Sequence, residues 1–541
     1  MSVARTKSPM LVGFNNIWRN LPDSLLLHIF CFLSPNEVVL AGEVCRNWNR
    51  VSEDELLWKH LLQKTLLNRA GDNIELPVKS SSWFEEYKRI YQTTPVVEGQ
   101  VLKEHTDEVL HVTFSHDGQL LASSSKDCSV ILWRVYDFHR CVKMVEKINF
   151  EDHNWEYVQF CEFNKTSTLL LVSGVNKMRD LSFRGEIFIL QLQGFNAVGV
   201  LHCVNSEPYD VFGAWLTERY YISGTFEFME NDSSTSELWA NCAYGFSEDY
   251  QTKLARVVNY NSSSVRTVLV ARPSGKCSSR PTKGSSALRR DDHICLIFTH
   301  GTVTYVPHQI VFKWLKLENG DYATRKLSII RNSHTNSSCM ERGRKGEVGY
   351  EPCYTEEEHC IETNAHIIGM SLSPDQQFLY VNCRPWQQQD GKDRTGPRLI
   401  ASPPEISSEI TLRVYSLATY KLVGVHTGHE AYTPNDGCFF IFLNVADKFV
   451  ASGAEDHCAH VWDRHFGTKL ATLKGHSNVV NCVAFNPVNQ QMLVSASDDQ
   501  TIRVWRSRQL SKLPVNDSVE VEESYEEISF VEERFLRETN V

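Results

Sequence analysis

The chain has 541 residues, 42% apolar and 11% aromatic, with a formal charge of −11. This composition fits about two to four domains with substantial cores, and the charge excludes bulk attraction to nucleic acid or anionic membrane. No apolar run reaches the roughly 18 residues of a membrane span, the opening MSVARTKSPMLVG lacks an export signal's apolar core, and sixteen scattered cysteines form no CxxC pair. The cysteines read as reduced core residues, which places the protein in the cytoplasm and leaves the nucleus open.

Residues 1–14 read as a disordered start. Residues 15–62 change character. Leu25, Ile29 and Leu33 fall at helical spacing after Leu21-Pro22-Asp23. Ser34-Pro35-Asn36-Glu37 is a helix start, with Ser as N-cap, Pro in the first turn and Glu closing a capping box. Val44, Trp48, Val51, Leu56, Leu57 and Trp58 continue the apolar periodicity through short helices with almost no linker. So small a unit leaves an apolar face that wants a partner. The segment LPDSLLLHIFCFLSPNEVVLAGEVCRNWNRVSEDELLWKHL resembles an F-box, with its Leu-Pro opening, Ile-Phe pair, Val-Cys-Arg-x-Trp run and Leu-Trp close. An F-box docks on the Skp1 adaptor of cullin–RING ubiquitin ligases. The resemblance implies that Leu21, Pro22, Leu25, Ile29, Val44 and Trp48 line that contact, some of them also forming the small domain's own core.

Residues 63–95 read as a helical connector, with Trp83, Tyr87 and Tyr91 on one face of a helix over 82–91. Residues 96–510 are expected to be all-β. The stretch GHSNVVNCVAFNPVNQQMLVSASDDQTIRVWR holds three strand-length apolar runs broken by turn signals. His476, Ser495, Asp499 and Trp505 in it are placed to form one buried hydrogen-bonded chain. The same set recurs as His105, Ser123, Asp127, Trp133 and as His429, Ser452, Asp456, Trp462. Ser to Asp is four residues and Asp to Trp six in each set. This resembles the WD40 repeat, a four-stranded propeller blade. Seven blades are expected, starting near residues 105, 152, 206, 262, 364, 430 and 475, with Gln100–Leu102 closing the last one. Exposed loops are expected at 272–292, 330–360 and 386–408, and an acidic tail at 511–541 with nine acidic and three basic residues.

A serine–histidine–aspartate catalytic reading of these sets loses to blade fastening, because one constellation appears three times. Asp456-His457-Cys458-Ala459-His460, near His465, invites a metal reading, but on a strand the two histidines point to opposite faces. No phosphate loop or nucleophile elbow occurs, so neither catalysis nor a cofactor is expected. Arg266-Thr267-Val268-Leu269 matches a degradation signal, yet reads better as a strand.

An F-box before a WD40 propeller resembles the F-box/WD-repeat receptors of SCF (Skp1–Cul1–F-box) ligases. The resemblance implies that the propeller holds a target protein while the F-box hangs it on Skp1, promoting its ubiquitination and proteasomal degradation. Expected target contacts on the top face are Asp107, Lys126, Trp155, Tyr157, Tyr209, Tyr432, Asn435, Asn478 and Asp498. No ring of arginines stands there in the most clearly read blades, which favours a target read without phosphate. Two alternatives stay open. The imperfect Trp462-Asp463-Arg464-His465 and Trp505-Arg506-Ser507-Arg508 motifs leave room for a Cul4–DDB1 receptor, and the chain is otherwise a WD40 scaffold unconnected with ubiquitin.

Overall fold

The computed structural model describes residues 21–67, 74–78, 80–136, 141–178, 182–228, 234–244, 251–259, 265–272, 293–301, 304, 306–316, 358–387, 404–434 and 440–512. The loop expected at 272–292 therefore lies outside the described residues except for Arg272, and so do most of the other two loops and the acidic tail beyond Lys512. The strand Glu358–Glu362 begins inside the loop expected at 330–360, and Trp386 is bridged to Ile406 across the third loop.

Four short helices open the described chain: α1 (Asp23–Phe30), α2 (Pro35–Gly42), α3 (Arg46–Ser52) and α4 (Glu55–Thr65). The capping box at the start of α2 forms, with Glu37 Oε2 accepting the Ser34 N–H at 2.7 Å and Ser34 Oγ accepting the Glu37 N–H at 3.4 Å. Asp54 caps α4 by accepting the Leu56 and Leu57 N–H groups. A fifth helix, α5 (Trp83–Thr93), is capped by Ser82. Leu26, Phe30, Val38, Val51, Trp58 and Leu61 share one core with Tyr87 and Ile90 of α5.

The rest is a seven-bladed propeller. Its described strands form seven four-stranded antiparallel sheets. Six blades are consecutive in sequence: β2–β5 (residues 109–149), β6–β9 (155–206), β10–β13 (214–259), β14–β17 (268–362), β18–β21 (365–430) and β22–β25 (443–474). The last joins β26 (Val480–Phe485), β27 (Met492–Ser497) and β28 (Ile502–Ser507) to β1 (Pro95–Leu102). β1 runs antiparallel to β28, with Leu102 opposite Ile502 and Glu98 opposite Trp505. This pairing removes the open sheet edges that a seven-bladed arc would expose.

The core is distributed between the blades. Each gap between neighbours holds its own apolar cluster, such as Val112, Ile131 and Trp133 against Cys482, Val494 and Val504 between the first and last blades. The clusters continue around the ring from the first gap to the sixth. Central strands are thus buried on both faces. That is why β3 (Leu120–Ser125) and β27 carry no exposed residue and read as continuous small or apolar runs.

Helix α5 fastens the helical part to the propeller. Arg89 Nη2 donates to Asp463 Oδ2 and to Glu86 Oε1, each at 2.7 Å. Asp463 Oδ1 also accepts the N–H groups of His465 and Phe466, each at 2.9 Å. Phe466 itself packs into the helical core. Asp463 and Glu86 are almost fully buried, so each needs its partners. We expect Asp463→Ala to cost about 3 kcal/mol, the usual loss when one member of a buried ion pair is removed. Urea denaturation checks this, and an unchanged midpoint would contradict the fastening role.

Candidate functional site

The helical domain divides its apolar residues into two sets. Leu26 and Phe30 of α1 and Val38 of α2 point into the core. Leu25, Ile29 and Phe32, at i, i+4 and i+7, form an outward stripe. They are 51%, 38% and 73% exposed. Val39 and Leu40 on α2 and Val44 in the turn before α3 are also exposed. Trp48 is half-buried, its ring edge-on to Phe30 at 5.6 Å. Leu21 is half-buried against the same core, and Pro22 is exposed at the N-cap of α1. Of the six residues expected to contact an adaptor, Pro22, Leu25, Ile29 and Val44 are therefore exposed. Sequence reasoning missed Phe32, Val39 and Leu40. Phe32 was within reach of it, at three residues from Ile29.

The expected target-binding residues fall into groups. Asp107 and Lys126 belong to turns of the first blade, Asn478 and Asp498 to turns of the last. Asp107 and Asn478 are exposed and Lys126 is half-buried, paired with Glu108. Burial pushes the Asp498 carboxyl up to about 6, the Asn481 amide lowering it only in part, while Glu108 of the first blade raises it further. Tyr157 and Tyr209 approach each other where the second and third blades meet. Burial raises the Tyr157 phenol well above its ordinary value, and the nearby Tyr209 adds to this. Tyr432 is 56% exposed, and its hydroxyl donates to Glu430. Asn435 lies outside the described residues.

Trp155 departs from expectation. It is a core residue, 5% exposed, stacked on Phe150 at 4.8 Å, with its indole N–H donating to Glu186 Oε2 at 2.7 Å. A Cβ at Gly174 would overlap this ring, so the glycine makes the space into which the indole turns. An aromatic residue at a blade entrance looks the same in sequence whether it turns outward or inward.

Two of the three repeated sets assemble. His105 Nδ1 meets Asp127 Oδ2 at 3.0 Å and His105 Nε2 meets Ser123 Oγ at 2.8 Å, while the Trp133 indole donates to that hydroxyl at 2.8 Å. His476, Asp499, Ser495 and Trp505 repeat this at 2.9, 2.7 and 2.8 Å. Burial alone raises the Asp499 carboxyl. The hydrogen bonds from His476 and Thr501, with the charge of His476 and the Ser477 N–H, outweigh that and hold it well below the usual carboxylate range.

The set at His429 does not assemble. Neither His429 ring nitrogen has a hydrogen-bond partner among the described residues, and the ring stands edge-on to Trp462 at 4.9 Å. Asp456 instead bonds His460 Nε2 at 2.9 Å, the Trp462 indole donates to the Thr427 carbonyl, and Ser452 Oγ accepts from Asn382. The reason lies two residues after the aspartate. Ser129 and Thr501 supply hydroxyls there that bridge to Asp127 and Asp499, whereas this blade has Cys458. His429 also lies within strand β21 (Leu422–Glu430), opposite Ile410, rather than in an entry loop. Burial, then the neighbouring His460, pushes it well below its ordinary value.

The other singled-out segments serve the fold. His457 sits in a turn with φ 63°. Arg266 Nε lies 3.3 Å from Asp210 Oδ2 just before β14 (Val268–Ala271). Asp463 is covered by α5, and His465 Nε2 lies 3.1 Å from the Glu75 carbonyl oxygen. Among the described residues, no group of three or more His, Cys, Asp or Glu side chains is placed to hold a metal. No helix among them is long and apolar enough to cross a membrane.

Comparison with known proteins agrees with this architecture. A family model described as F-box-like matches residues 18–64, and one described as WD domain, G-beta repeat matches 97–134 and 467–506. The F-box/WD repeat-containing protein 5 of Mus musculus is 36% identical over 91% of this chain and 94% of its own length. The protein of that name from Homo sapiens is 36% identical over 90% and 94%. The chain belongs to the F-box/WD repeat-containing protein 5 family. A WD repeat-containing protein WDS homolog of Arabidopsis thaliana is 25% identical over 75% of this chain and 57% of its own length. Within this F-box/WD repeat protein the WD matches fall on the two blades whose tetrads assemble.

The tetrads make a pH prediction. A carboxyl held below its unfolded value, about 3.9 for Asp, contributes stability that is fully present above that value and is lost as the pH falls below it. Asp499→Asn is expected to cost about 2 kcal/mol at pH 7, with the gap to wild type closing below about pH 4. Thermal melts across pH 3–7 check this. A gap that stays constant would contradict the charged-carboxylate account.

Proposed function

We propose that the chain is the substrate-recognition subunit of an SCF-type ubiquitin ligase. The observation that carries this is the outward apolar stripe of Leu25, Ile29 and Phe32, continued by Val39, Leu40 and Val44, on a domain whose own core is already filled. Fully burying one such side chain stabilises a contact by about 1.5–3 kcal/mol, so several together supply a specific interface. On this reading Skp1 covers the stripe, and Cul1 with its RING partner follows through Skp1. The propeller rim holds the target protein, with Tyr209 and Tyr432 as exposed aromatic anchors. The chain contributes no catalytic side chain. It raises the effective concentration of target lysines near a charged E2. A protein working this way belongs in the cytoplasm or nucleus, and its target is read without phosphate.

The Cul4–DDB1 alternative has less support. Both segments on which it rested are engaged inside the molecule, Trp462–His465 through Asp463 and His465, and Trp505–Arg508 through Trp505, Ser507 and Arg508.

The test is affinity purification of wild type beside Ile29→Asp/Val44→Asp and beside Tyr209→Ala/Tyr432→Ala, probing for Skp1, Cul1, DDB1 and Cul4. Skp1 and Cul1 are expected with wild type and the tyrosine variant, and at least tenfold less with the charged F-box variant. Captured target proteins should fall only in the tyrosine variant. Equal Skp1 recovery in all three would refute the adaptor face, and recovery of DDB1 alone would make the propeller the ligase-binding part.

A further inference from the structure

The centre of the propeller encloses a cavity of about 360 Å³ that neither the adaptor face nor the rim uses. The inner strands β2 (Val109–Phe114), β6 (Trp155–Phe163), β14, β18 (Ala365–Leu372), β22 (Leu443–Val445) and β26 wall it, with Phe212 and Gly213 completing the ring from the remaining blade. Inside, aromatic rings from four blades close on one another. His111 lies 4.3 Å from Phe160 and 4.7 Å from Phe442, and Phe160 stacks on Phe212 at 5.5 Å.

The other end of the cavity is bordered by His116, Pro374, Asp447 and Pro487, which lie in the turns between first and second strands. In an antiparallel four-stranded blade those turns share one end with the turns between third and fourth strands. Phe466, in such a turn, packs in the helical core, and Asp463 at its start holds Arg89. The cavity therefore opens on the face that carries the helical domain. The target residues expected from sequence sit at the opposite end.

The charge in this wall is one-signed. Side chains alternate along β6, so Phe160 and Glu162 face the channel together. Glu162 Oε2 accepts one long N–H bond, from Trp215 at 3.4 Å, and no ion pair from the described residues reaches the carboxylate. Among the described residues Asp447 is the second lining carboxylate, and none of them that lines the cavity is a lysine or arginine. The lining histidines do not supply a cation at neutral pH. Burial pushes His111 down to about 3 and His116 below its ordinary value, although Glu218 partly opposes the latter. Burial pushes the Glu162 carboxyl up to about 7, as expected of a carboxylate lacking a counter-charge.

A carboxylate beside aromatic rings in such a channel recognises a cation through charge and through the ring faces together. A hydrated metal ion gains nothing from the rings. A guanidinium is planar, weakly hydrated, able to stack on an aromatic face and to pair with a carboxylate through two N–H groups. We propose that this cavity is a binding site for an arginine side chain of a protein segment entering from the face that carries the helical domain, with Glu162 as the charge partner and Phe160 and Phe442 as the stacking wall. The site does not depend on the ligase reading, because it is measured on the full chain without an adaptor.

The probe is the peptide acetyl-Gly-Arg-Gly-amide, titrated into the full chain by calorimetry. Acetyl-Gly-Lys-Gly-amide and acetyl-Gly-Gln-Gly-amide serve as comparisons. We expect saturable arginine-peptide binding, at least tenfold weaker binding of the lysine peptide, and none of the glutamine peptide. Glu162→Gln should weaken the arginine peptide at least tenfold while melting no lower than wild type, since it removes an uncompensated buried charge. Phe160→Leu should weaken it too, and keeps the test valid if Glu162→Gln misfolds. No saturation by about 10 mM, affinity unchanged in Glu162→Gln, or equal binding of all three peptides would overturn the proposal.

Discussion

The structure depends on one strand pairing, that of β1 with β28. A blade has its own hydrogen bonds, but an arc of blades leaves apolar faces and strand edges open at both ends. Placing β1 beside β28 closes the last sheet and brings the first and last blades together over the cluster around Trp133 and Val504. The closing strand is tied to the next blade as well. The Gln100 amide donates to the Val142 carbonyl at 2.7 Å and accepts the Val142 N–H at 2.9 Å. Glu98 pairs with Arg503 across the joint.

The same constraint places the helical domain. Helix α5 ends at Thr93 and β1 begins at Pro95, so the strand that closes the ring leads straight out of the helix that carries the F-box. Arg89 on that helix holds Asp463, and Arg508, after the final strand, donates to the Tyr91 carbonyl at 3.0 Å. Both ends of the propeller chain therefore grip one helix. The proposed receptor role calls for such a fixed link, since effective concentration falls when the link is loose.

Legibility in the sequence followed how local each feature is. The capping box at Ser34–Glu37, the F-box pattern and the tetrads at His105 and His476 lie within short windows, and each forms as read. The strands of the middle blades were found through their continuous apolar runs, which burial between two neighbours imposes. The tetrad at His429 failed because four matching residues conceal a fifth, the hydroxyl after the aspartate, that the pattern did not include. Trp155 failed because the space it fills belongs to Gly174 on the adjacent strand. The Glu162 cavity has no local signature at all. It is walled from residue 111 to residue 490, and only the closed ring brings those residues together.

On the proposed function the helical face, and not the propeller, meets the ligase. Hydrogen exchange of the purified full chain with and without purified Skp1 checks this. Protection confined to α1, α2 and the turn leading into α3, with the propeller blades unchanged, is the predicted result. No added protection on those helices, or protection confined to propeller blades, would contradict it.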